Sequence, residues 1–142
     1  MKLNKRLLRK VRNRIAEIPE SYDQGHFCKP SDKSPCGTKA CLAGEIIIMS
    51  APTVEMGVKS LQALMRRFRP SDTASGTNIG KRAAKLIGIT PDDADSMFEG
   101  YPEYSWPAPF GKRYDRVSSP RARAKVAVAY LDECLKRGKV TW

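Results

Sequence analysis

The stretch Leu3-Asn4-Lys5-Arg6-Leu7-Leu8-Arg9-Lys10-Val11-Arg12-Asn13-Arg14-Ile15-Ala16-Glu17-Ile18-Pro19 decides the fold class. Leu3, Leu7, Leu8, Val11, Ile15 and Ile18 recur at the spacing of one helical face. Lys5, Arg6, Arg9, Lys10, Arg12 and Arg14 occupy the remaining positions and are expected to form a solvated basic face. Pro19 ends the helix, because the residue before a proline is pushed out of helical conformations.

The same period continues along the chain. Thr38 to about Ser50 reads as a second helix capped by Thr38, with Ala40, Cys41, Ala43 and Ile47 near one face. Gly44 inside it costs about 1 kcal/mol relative to Ala, which a close approach by another backbone would explain. Val54–Phe68 reads as a third helix, with Val58, Leu61, Leu64, Met65 and Phe68 inward and Arg66, Arg67 and Arg69 at its end. Ile79–Ile87 is a fourth, stopped by Gly88. Thr90-Pro91-Asp92-Asp93 is a strong start for a fifth, which buries Ala94, Met97 and Phe98. Ser119-Pro120 opens the last, which closes at Gly138.

Between them, 20–35 reads as a loop and 101–117 as a connection rich in proline and aromatics. No run alternates as a half-buried strand does, although a short hairpin between Arg69 and Ile79 fits the composition. The expected fold is all-α: a single basic helical domain over residues 1–142, with five or six helices and a Pro/aromatic-rich connection.

At 142 residues, 41% hydrophobic and 29% charged, a chain can build a core without metal or disulfide staples. Lys and Arg number 26 against 15 Asp and Glu, a formal net charge of +11. A charge this large repels itself, which either an anionic partner offsets or a solvated surface that serves only solubility tolerates. That partner is expected to be nucleic acid or a nucleic-acid-containing assembly, with an acidic protein as the alternative. Lys5, Arg6, Arg9, Arg12, Arg66, Arg67, Arg113 and Arg116 are the candidate contacts. No apolar stretch approaches the length of a membrane span and no signal-peptide pattern is visible, so a cytoplasmic location with reduced thiols is expected.

One segment has unusual chemistry. The only histidine and three of the four cysteines (His26, Cys28, Cys36, Cys41) fall within sixteen residues. Three thiols and an imidazole can complete a zinc shell, but the spacing lacks a C-x2-C knuckle. Cys36 precedes the expected second helix, where a thiolate is stabilised, and His26 would be its base. Disulfides of Cys36 with Cys41, or of Cys28 with either, are further alternatives, and so is simple burial. No catalytic residue is nominated. Cofactors are none, or zinc under the metal reading. Cys134 falls on the apolar face of the last helix and reads as core.

Cys36-Gly37-Thr38-x-x-Cys41-Leu42-Ala43-Gly44 resembles the signature C-G-T-x-x-C-[IL]-A-G of a group of small uncharacterised bacterial and phage proteins. The order also matches: a first helix like Leu8–Ile18, then Ala83-Ala84-x-Leu86-Ile87-Gly88-Ile89 with Phe98. Trp106-Pro107 and a closing helix like Val126–Gly138 follow. The chain departs from the pattern at Glu45, where His or Trp is expected, and it adds Cys28. The resemblance implies a phage or mobile-element origin and no particular activity.

Two further stretches are open to a binding reading. Ile79–Phe98 has the layout of a helix-turn-helix, but Asp92, Asp93 and Asp95 would repel phosphate, so it reads as a helical corner. Tyr101, Tyr104, Trp106, Phe110 and Tyr114 lie among prolines and close to Lys112, Arg113 and Arg116. They suit a rigid lid over the helices, base stacking, or an adaptor surface anchored by Trp106.

Overall fold

The computed structural model describes residues 2–30 and 38–142. Among these, the elements in order are α1 (Lys5–Glu17), β1 (Lys29–Pro30), β2 (Thr38–Lys39), α2 (Leu42–Ser50), α3 (Val54–Arg66), α4 (Asn78–Ile87), α5 (Pro91–Phe98), α6 (Pro102–Ser105), α7 (Phe110–Arg116) and α8 (Pro120–Arg137). Single 3-10 turns occupy Pro19–Ser21 and Ala74–Gly76. The class is all-α, and the expectation of five or six helices is corrected to eight among the described residues. The two additions, α6 and α7, are short and lie in the segment whose prolines read as irregular. Proline suits the first position of α6, because the N–H it lacks has no partner there.

The two long helices follow their caps. Asn4 Oδ1 accepts the Leu7 N–H (3.1 Å) to start α1. Ser119 caps α8, Pro120 sits at its first position, and Gly138 ends it at φ 72°. The helices pack antiparallel: the Lys5 side chain lies by Gly138, while the Arg12 guanidinium holds Asp132 at 2.8 Å. One earlier expectation fails here. Arg14 is not on the solvated face of α1 but is buried, its Nε–H donating to Glu45 Oε2 at 2.8 Å. Its position in the helix adjoins the apolar stripe of Val11 and Ile15, so only a polar partner below makes it an inward residue.

Helix α2 is the centre of the fold. Its residues from Leu42 to Ile48 are all buried, apolar on every side except at Glu45. It packs on α1, α3, α4 and α5. The helix starts later than expected. Thr38 does not cap it, because Thr38 and Lys39 pair antiparallel with Pro30 and Lys29, and Ala40 bridges to Tyr22. The chain therefore stays extended to Cys41, and Gln24 Oε1 accepts the Leu42 N–H at 3.3 Å. The hairpin expected between Arg69 and Ile79 is absent: that stretch makes a 3-10 turn, and the one strand pair described lies at β1 and β2.

Close backbone approaches lock α2 in place. A Cβ at Gly44 would run into the Phe27 carbonyl oxygen and meet Ala40 Cβ at 2.5 Å. One at Gly57 of α3 would strike the Ile48 carbonyl. Gly44→Ala is expected to lose about 1–3 kcal/mol despite the better helix propensity of alanine. Urea unfolding followed by circular dichroism checks this; a gain in stability would mean the two segments are not in contact.

Trp106, Phe110, Tyr114, Tyr130 and Trp142 close the core on the α8 side. The connection 101–117 is thus the expected lid, with only Tyr101 and Tyr104 well exposed among its aromatics (66% and 84%). Among the described residues no helix is long and apolar enough to cross a membrane.

Candidate functional site

The cysteine and histidine segment divides. Cys36 lies outside the described residues. Cys41 is a free thiol buried beneath the N-terminus of α2, and burial pushes it up to about 12, so it stays protonated and inert at neutral pH. Cys134 is a fully buried core thiol. His26 is exposed, with Nδ1 held 3.1 Å from Asp23 Oδ2. Cys28 is half-buried. Among the described residues, no three His, Cys, Asp or Glu side chains are placed to share a metal ion.

Trp106 is also a core residue. Its indole N–H donates to the Met97 carbonyl (3.0 Å), and its ring stacks on Tyr130 at 4.6 Å. It is 5% exposed, so the adaptor reading loses its proposed anchor.

The candidate cations fall on three elements. Lys5, Arg6 and Arg9 are exposed on α1, and Arg12 is tied to Asp132. Arg66 and Arg67 are exposed at the C-terminal end of α3. Arg113 and Arg116 belong to α7, which packs on α6 and α8, and the Arg113 guanidinium lies 5.8 Å over the Phe110 ring. The structure therefore does not group this last pair with the others.

Helix α4 joins the first two groups. Its C-terminal end meets the start of α1, where the Ile87 carbonyl accepts the Asn4 N–H at 2.8 Å. At its other end the Asn78 amide donates to the Leu64 and Arg67 carbonyls (3.1 and 3.2 Å), closing the end of α3. The exposed face between carries Lys81, Arg82 and Lys85, and α4 contains no carboxylate. On α1 no acid precedes Glu17, and the Glu45 carboxylate of α2 is buried against Arg14. Arg6 and Lys10 border a groove of about 370 Å³ with Ser50 and Leu86. The exposed cations of α1, of α4 and of the end of α3 thus lie on elements that meet one another. In sequence, 79–98 reads as one helix-turn-helix unit whose acids in α5 repel phosphate, and that reading hides Lys81, Arg82 and Lys85. A helix with three cations and no acid was the available signal.

A second feature lies beside the end of α3. The segment Gln24–Phe27, the turn from Phe68 to Thr77 and the end of α5 enclose a cleft of about 310 Å³. Phe27 and Phe68 form one wall, their rings 5.8 Å apart and tilted by 48°. Gln24 is fixed beneath it, donating to the Met97 and Glu99 carbonyls (3.2 and 2.9 Å).

No family model matches the chain, and neither the curated proteins nor the solved structures searched contain a match. The class that fold and surface define is a basic all-α domain.

Proposed function

We propose that this protein binds nucleic acid, alone or within a nucleoprotein assembly, along the surface formed by α1, α4 and the end of α3. What supports this reading is the set of exposed cations on three elements that meet, Arg6 and Lys10 on α1, Lys81, Arg82 and Lys85 on α4 and Arg67 at the end of α3, with no carboxylate in α4 and none in α1 before Glu17. A helix the length of α4 spans about 15 Å, enough to follow several phosphates. The acids of neighbouring α8 do not cancel this field, because Asp132 and Glu133 are each paired with an arginine, Arg12 and Arg137. Non-enzymatic binding asks nothing more of the site.

The test is affinity for single- and double-stranded DNA and RNA across a salt series. Log affinity should fall linearly with log salt. The variant Lys81→Gln/Arg82→Gln/Lys85→Gln should keep the fold and flatten the slope by about two to three units. Absence of binding by the wild type at low salt would reject the proposal. An unchanged slope in the variant would remove α4 from the interface.

A further inference from the structure

We infer that the cleft beside the end of α3 receives one unpaired, amino-bearing nucleobase of a strand held on the basic surface; this rests on the nucleic-acid reading above. The cleft, about 310 Å³, is at the small end of ligand pockets, which suits one ring system rather than a whole cofactor. Its walls are suited to a flat ring. Phe27 and Phe68 line one side, and Phe98, almost fully buried, lines it as well. Aromatic faces accept bases of a single strand by stacking.

The polar lining chooses the edge of that ring. No Lys or Arg lines the cleft, whereas the carboxylates of Asp72 and Glu99 do. Asp72 is exposed and makes no ion pair among the described residues. Carboxylates exclude phosphate but accept hydrogen bonds from an exocyclic amino group, as of cytosine. Uracil has no such group and offers only its single ring N3–H in its place.

The lip decides the occupant. Arg69 sits between Phe68 and Pro70, both of which line the cleft, and Arg66 and Arg67 precede it. All three arginines are exposed, and Asn78 at the start of α4 bonds the Arg67 carbonyl and the Arg69 N–H. They attract the phosphates on either side of an inserted base and repel a basic peptide, the other natural occupant of an acidic, aromatic cleft. A base must leave its stack to enter, so the cleft favours single strands over duplex.

The experiment is fluorescence anisotropy across a salt series with labelled oligocytidylate, oligouridylate and an RNA duplex of equal length. Wild type should prefer oligocytidylate over oligouridylate and over duplex by about tenfold. Phe68→Ala, folded by circular dichroism, should lose about tenfold on oligocytidylate and little on duplex, with its salt slope unchanged. Asp72→Asn, an exposed change that spares the fold, should weaken the preference for cytidylate over uridylate, with Glu99 left to hold the remainder. Salt-dependent binding that ignores base, strandedness and Phe68 would overturn this inference and leave the basic surface standing. No binding of any nucleic acid would overturn both. Displacement of oligocytidylate from wild type, but not from Asp72→Asn, by an arginine-rich peptide would assign the cleft to protein instead.

Discussion

Arg14→Met is expected to cost about 3–5 kcal/mol at pH 8, read as a shift of the urea midpoint. The two charged groups are almost wholly removed from water, with 5% and 0% of their side chains exposed. Deleting the guanidinium leaves a carboxylate in the core without its counter-ion. Glu45 Oε1 is already buried without a hydrogen-bond partner, and the neutral Ser21 hydroxyl beside the carboxylate cannot replace a counter-ion. Replacing both partners, as Arg14→Met with Glu45→Leu, should recover most of the loss, because an apolar pair carries no desolvation penalty. A double variant as unstable as the single one would mean that the side chains matter through shape rather than charge.

The same pair makes stability depend on pH. Burial pushes the Glu45 carboxyl up to about 7 against the opposing pull of Arg14. In the unfolded chain the group titrates near the ordinary value of 4.5. Between these limits the folded state holds a proton that the unfolded state has released. The stabilisation is therefore complete below about pH 4.5 and is lost as pH rises through about 7. Its size is bounded by about 3 kcal/mol. Glu45→Gln removes the titrating group. Relative to that variant, wild type should lose stability between pH 5 and 7.5; parallel curves would show that Glu45 stays ionised throughout.

Trp106→Ala is expected to destabilise by a similar amount, about 3–5 kcal/mol, and to lower the melting temperature by about 10 °C or more. The indole is stacked on Tyr130 at 4.6 Å and edge-on to Tyr114 at 5.3 Å. Removing it opens a cavity where α5, α6, α7 and α8 meet and strips the Met97 carbonyl of one of its two side-chain donors, the other being Gln24. Trp106→Phe keeps part of the ring and should lose less. Affinity for nucleic acid, measured while the variant is folded, should be unchanged, since Trp106 is far from solvent. A drop in affinity without a drop in stability would return Trp106 to a surface role.

Much of the helical layout was legible in residue order. Gly88 and Gly138 both adopt left-handed backbone as helix terminators, and Thr90 and Ser119 cap the helices they were read to begin. These are local effects, decided by a few neighbouring residues. The unforeseen close packing at Gly57 and the foreseen one at Gly44 differ only in that the latter glycine interrupts an apolar run. By contrast, α6 and α7 escaped notice because helices of four and seven residues show too few turns for a period.

The site was less legible. Arg14 reads like its basic neighbours until Glu45 is placed beneath it, thirty-one positions away in the chain. Trp106 reads as a surface aromatic among prolines until α8 brings Tyr130 under it. Lys81, Arg82 and Lys85 become part of a surface only when Asn4 meets Ile87. The order of residues alone determined the helical class, the caps and the excess of positive charge, because propensity, capping and net charge are sums over near neighbours. Tertiary structure alone decided which cations stand together in water, which one is buried, and where the aromatic cleft opens. Those are properties of distance in space, and burial changes the energy of a charge by more than any local preference can.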